Sequence, residues 1–140
     1  MPSPPFDQLL ALARLAEDAA QHAYAPYSHF RVGAAVLLES GELVSGCNVE
    51  NASYRLTTCA EQSAIAQAVA RFGPQIRLLA VAVHNLNRTA SQPCGACRQT
   101  IAEFSTPDAM ILFPGEGGLP QTCTLADLLP ASFSLPGSDV

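Results

Sequence analysis

Apolar and polar residues change their repeat several times along the chain, and each change predicts an element. Leu9, Leu12, Ala13, Ala16, Ala20 and Ala23 recur at helical spacing. They predict a first helix behind a leader of residues 1–6 rich in proline, with Asp7 as its cap and a stop near Pro26. Residues 30–38 and 43–49 are mostly apolar and flank Ser40, Gly41 and Glu42, which predicts a hairpin whose sheet is covered on both faces. A second helix is expected from a cap at Thr57 or Thr58 to about Phe72, where Gly73 and Pro74 stop it. Residues 78–84 read as a buried strand, and Pro93 opens a third helix over 94–104. A strand at 109–113, a Gly/Pro turn at 114–120, a short strand near Thr122 and a helical turn at 125–129 follow, before a polar tail at 134–140. No repeat or long linker divides residues 1–140, so a single domain is expected. Strands alternating with helices predict a three-layer α-β-α fold of the α/β class, with a mixed sheet of about five strands.

That topology has a geometric consequence. A helix of about fifteen residues runs back over about 22 Å while an eight-residue strand runs forward over about 26 Å. The starts of the second and third helices should therefore meet at the carboxyl edge of the sheet, where open α/β sheets bind ligands. Cys94 and Cys97 stand three apart at one of these starts, separated by Gly95 and Ala96, and Cys59 stands at the other. Helix N-termini favour thiolates, and three thiolates can hold a zinc ion while leaving its fourth position open, the catalytic pattern. Glu61, two residues beyond Cys59, is placed to reach that position. A closed four-cysteine site using Cys47 or Cys123 would leave Glu61 as an uncompensated acid beside a negative cluster.

Composition narrows the function. With 49% apolar and 14% charged residues, against about 25% charged in average domains, the chain is too apolar for a disordered segment. Its seven basic residues are all arginine and twelve acids leave a net charge of −5, which argues against a nucleic-acid partner and for a small-molecule substrate. No apolar run approaches the roughly eighteen residues needed to span a bilayer, and the start lacks the layout of a secretory signal. No membrane partner is expected, and the expected location is cytoplasmic, where five cysteines read as metal or catalytic groups before disulfides.

Cys-Ala-Glu at 59–61 followed by Pro-Cys-Gly-Ala-Cys at 93–97 follows the zinc nucleobase deaminase pattern, with cysteine in the place of histidine. Together with YAPYSHFRVGA, GCNVENASY, CAEQSAI, PCGACRQ and LLPASF, between Tyr24 and Phe133, the chain resembles the homotetrameric, three-cysteine branch of the cytidine deaminase family. The resemblance implies one Zn2+ per subunit on Cys59, Cys94 and Cys97. It also implies hydrolytic deamination of cytidine and 2′-deoxycytidine to uridine and 2′-deoxyuridine, with release of ammonia, in pyrimidine salvage. Glu61 would take a proton from the activated water, deliver it to N3 and then protonate the leaving amine. By the same resemblance Phe30 flanks the nucleoside, Asn48 and Glu50 bind the ribose, Tyr54 approaches the sugar, and Ala60 joins the substrate-binding set. Phe133 stacks on the pyrimidine of another subunit's site, in a homotetramer with shared sites. From the residues alone, Asn48 and Glu50 suit sugar hydroxyls and turn chemistry equally.

The chain departs from that family's pattern at Gln62, where many three-cysteine relatives carry an arginine that donates to the thiolates. Helix dipoles, the Gln62 amide and Arg98 are expected to offset the cluster's charge instead. Gln92 stands where serine is common. Cys47 and Cys123 are expected to be buried small hydrophobes. His22, His29 and His84 lack ligand spacing. Competing readings are an aminohydrolase acting on a blasticidin-type antibiotic, a nucleic-acid-editing deaminase, and a non-catalytic zinc scaffold.

Overall fold

A computed structural model describes residues 3–137. The elements are α1 (Phe6–Ala20), β1 (Val32–Leu38), β2 (Leu43–Cys47), α2 (Ala60–Phe72), β3 (Leu78–Asn85), α3 (Gly95–Phe104), β4 (Ser105–Pro114), β5 (Pro120–Thr124) and α4 (Leu125–Leu128). The five strands form one sheet in the order β2-β1-β3-β4-β5. Only β3 and β4 are parallel, and the other neighbours are antiparallel, so the sheet is mixed as the strand and helix order predicts.

Period-two alternation divides the apolar strand residues between two layers. Ala35, Leu37, Ala80 and Ala82 turn to one face and pack with Leu12 and Ala16 of α1. Ala34, Val36, Val44, Val81, Val83 and Ile111 turn to the other, against Ala64, Ile65 and Ala68 of α2 and Ile101 of α3. Two glycines set the helix-to-sheet distance. A Cβ on Gly33 would lie 2.0 Å from the carbonyl oxygen of Ala16, and one on Gly46 would lie 2.4 Å from the backbone nitrogen of Ala64. Among the described residues no helix is long and apolar enough to cross a membrane.

Several boundaries differ from expectation, each for a local reason. Helix α1 is capped at Pro5, with Asp7 inside its first turn, and it stops at Ala20. Strand β1 starts at Val32 instead of Phe30 because the Asn48 side chain takes over the hydrogen bonds there. Its amide donates to the Phe30 carbonyl at 2.8 Å and its oxygen accepts from Val32 N–H at 2.9 Å. Neither Thr57 nor Thr58 caps α2. Thr58 and Val49 exchange backbone hydrogen bonds at 2.9 and 3.0 Å, which holds the chain extended up to Cys59, and Cys59 itself is the N-cap. Cys94 likewise caps α3. Strand β4 begins four residues before the apolar run at 109, directly at the end of α3.

Candidate active site

The parallel β3-α3-β4 crossover carries the start of α3 to the carboxyl end of β3, and the segment after β2 brings the start of α2 to the same edge. The sulfurs of Cys59, Cys94 and Cys97 consequently lie within 4.8 Å of one another. Tetrahedral zinc at Zn–S distances of about 2.3 Å separates its sulfur ligands by about 3.8 Å, a spacing that falls within the span of this set. Cys97 is buried, Cys59 half-buried and Cys94 exposed, an arrangement in which the cluster is supported from the core and approached from outside. The thiols are already polarised. Cys97 donates to the Cys59 sulfur and brings that thiol down to about 7, while the same hydrogen bond, with burial, pushes Cys97 far above the ordinary thiol range.

Glu61 follows in the first turn of α2 and is only 4% exposed. Burial raises its pKa, against the opposing effects of its own backbone N–H and the Cys97 thiol. Its carboxylate does not belong to the three-sulfur group. A buried carboxyl group that holds a proton beside an open metal set can both take and give one.

Both features face a cavity of about 210 Å³ walled by Phe30, Val32, Asn48, Thr57, Cys59, Ala60, Glu61, Val83, Ser91, Gln92, Cys94 and Cys97. Ligand pockets usually enclose about 300–1,000 Å³, so this one suits a base and leaves a sugar outside. Of the expected substrate residues, Phe30, Asn48 and Ala60 are in the wall. Glu50, Tyr54 and Phe133 are not; Tyr54 is 75% and Phe133 68% exposed. Glu50 instead turns its carboxylate to the loop before β1. It accepts from the backbone N–H groups of Tyr27 and Ser28 at 3.0 and 3.1 Å and from the Ser28 hydroxyl.

Two of the groups expected to offset the cluster's charge make hydrogen bonds away from the sulfurs. The Gln62 side-chain oxygen accepts from Cys59 N–H at 3.3 Å, which makes it half of a capping box. Arg98 directs its donors to the Pro93 carbonyl at 2.7 Å, the Leu128 carbonyl at 3.0 Å and Gln92 Oε1 at 2.8 Å. It thus braces the cavity wall and α4 and donates to no thiolate. Cys47 and Cys123 stand apart from the cluster but are half-buried and not fully enclosed. Thr57 and Ser91 are wall residues that periodicity does not reveal, since neither has motif spacing to the cysteines.

The model of the cytidine and deoxycytidylate deaminase zinc-binding region matches residues 7–113. The chain belongs to that deaminase family. It is 40% identical over 123 residues to a cytidine deaminase of Halalkalibacterium halodurans, covering 88% of this chain and 92% of the relative. The crystal structure of cytidine deaminase from Mycobacterium tuberculosis superposes with a TM-score of 0.78 at 42% identity, covering 91% of this chain and 98% of that one. The cytidine deaminase from Burkholderia pseudomallei superposes at 0.80 with 41% identity, covering 89% and 98%. In this deaminase the donor set fits one zinc ion, as the family's zinc-binding region requires.

Proposed function

We propose that this deaminase hydrolyses cytidine and 2′-deoxycytidine to uridine and 2′-deoxyuridine with release of ammonia. The observation that carries the reading is the buried Glu61 carboxyl group, set beside three converging sulfurs in one base-sized cavity. Zinc held by Cys59, Cys94 and Cys97 supplies a Lewis acid that lowers the pKa of a water. The rest is the work of the chain's own groups. Glu61 accepts a proton from the water and passes it to N3 of the pyrimidine while oxygen adds at C4. It then carries the second proton to the exocyclic amine, which leaves as ammonia. The wall residues Phe30, Val32 and Val83 exclude bulk water from the ring. Asn48 and Glu50 address the sugar outside the wall, and Ala60 borders the base.

The exposed rings of Tyr54 and Phe133 support a homotetramer in which these aromatics complete sites shared between subunits. A base-aromatic stack is worth about 1–3 kcal/mol, enough to favour such an arrangement for Phe133. Pyrimidine salvage in the cytoplasm completes the reading. An aminohydrolase acting on a blasticidin-type antibiotic is not favoured, because the relatives are cytidine deaminases.

The test is an absorbance assay for loss of the cytidine chromophore, with zinc measured on the same sample. Expected are one zinc per chain and steady conversion. Glu61→Gln should keep the zinc and lose roughly 10²- to 10⁴-fold in kcat. Protein that is zinc-loaded, folded and inert towards both nucleosides would reject the reading, as would unchanged activity in Glu61→Gln.

A further inference from the structure

The loop before β1 is tied to three of the residues expected to meet the nucleoside. Tyr27 packs its ring edge-on against Tyr54, with centroids 6.1 Å apart and planes at 69°. The Ser28 hydroxyl accepts from Phe30 N–H at 3.0 Å and donates to Glu50 Oε2. Between them His29 adopts a left-handed backbone with φ of 59°, and its N–H is held by the Ala25 carbonyl at 3.0 Å. Strain of that kind persists where surrounding bonds over-determine the conformation, as these do.

A carboxylate has about four lone-pair sites. On Glu50 two are filled at Oε1, by Tyr27 N–H and Ser28 N–H, and one at Oε2, by the Ser28 hydroxyl. One acceptor position remains, on Oε2, and its direction is set by the serine. We infer that Ser28 is a positioning residue that orients the Glu50 carboxylate so that it accepts a single sugar hydroxyl of the nucleoside. The inference rests on the reading of Glu50 as a sugar-binding residue and adds the group that aims it. The Ser28 hydroxyl also lowers the Glu50 pKa below the usual carboxylate range, which keeps the acceptor ionised. Because the same hydroxyl holds Phe30 N–H, one side chain registers the sugar contact against the cavity wall.

The test compares cytidine with 2′,3′-dideoxycytidine, which keeps the base and lacks both ring hydroxyls that Glu50 could accept. The readout is the ratio of their kcat/KM values on zinc-loaded protein, for wild type, Ser28→Ala, Ser28→Thr and Glu50→Gln. Losing a hydrogen bond to a charged group costs roughly tenfold or more. Ser28→Ala should therefore reduce the ratio by about tenfold through KM for cytidine, towards the value for Glu50→Gln, and Ser28→Thr should recover most of it. If Ser28→Ala lowers both substrates equally, or leaves the ratio intact while Glu50→Gln collapses it, the positioning role is wrong and the sugar-binding reading stands. If Glu50→Gln itself leaves the ratio intact, both fall. Should Ser28→Ala lose its zinc or its fold, Ser28→Cys decides: its thiol keeps the shape but is a weak donor and acceptor, so the ratio falls if the hydroxyl is the aiming group and stays at the wild-type value if it is not.

Discussion

The backbone N–H of Cys59 donates to the side-chain oxygen of Gln62 across the first turn of α2. Gln62 is thereby committed to shaping the helix start that presents a zinc ligand, and it brings no positive charge to the sulfurs. Gln62→Arg adds a cation at that place and removes the acceptor. The cation favours the ionised form of Glu61, so the acidic limb of the kcat/KM profile should move to lower pH. Loss of the capping contact should cost about 1 kcal/mol in denaturant unfolding. Profiles that coincide in position and height would show that charge at residue 62 does not govern the site.

Gly46 and Gly33 both lie too close to helix backbone to admit a Cβ, but they serve different layers. Gly46→Ala forces α2, which carries Glu61 and is capped by Cys59, away from the sheet. Gly33→Ala pushes on α1 from the opposite face. Overpacking of this kind costs about 1–3 kcal/mol or more, so both variants should unfold at lower denaturant concentration. Zinc content and activity of the fraction that remains folded should fall for Gly46→Ala and hold for Gly33→Ala. Equal zinc content in the two would break the assignment of α2 as the helix that sets the metal geometry.

Zinc stoichiometry should sort the five cysteines. Serine at 59, 94 or 97 should abolish or sharply weaken zinc retention after dialysis against a chelator, and conversion of cytidine should disappear with the metal. Serine at 47 or 123, which lie outside the sulfur cluster, should retain one zinc per chain. Added zinc should restore activity to chelator-stripped wild type. Metal loss from Cys47→Ser or Cys123→Ser would point to a different ligand set.

Glu50 offers a pH test that avoids the metal ligands. Its carboxyl is held below the usual range by the Ser28 hydroxyl first, then by the Ser28 and Tyr27 N–H groups and the nearby His29. A carboxylate whose folded pKa is depressed contributes stability that is present above its unfolded value, about 4.3 for glutamate. That contribution is lost as pH falls through the lower folded value. Carboxyl-selective NMR titration of zinc-loaded protein should find Glu50 ionised below the range of exposed glutamates, with Ser28→Ala moving its midpoint upward. An unmoved midpoint would mean that the backbone donors alone hold the charge.

The kinds of element, their order and the metal set were legible in the chain because each depends on residues close in sequence. Helical and alternating periods name the elements, and Cys94 and Cys97 share one helix start whatever the rest does. Cys59 and Glu61 lie two residues apart on another. Strand and helix lengths then bring those two starts to one edge. Even so, the sequence points to Thr57 or Thr58 as the cap of α2 whereas Cys59 is the cap, since the Val49–Thr58 pairing that holds the chain extended joins residues nine apart.

What the sequence could not decide was the direction of polar side chains whose partners are distant along the chain. Asn48 is turned back on Phe30 and Val32, Glu50 on Tyr27 and Ser28, and Arg98 on Leu128. A strand end fixes where a side chain begins, but which partner it meets depends on loops closing over sixteen to thirty residues. Periodicity carries no record of that closure, so Ser28 gains a reason for its place only in the folded molecule.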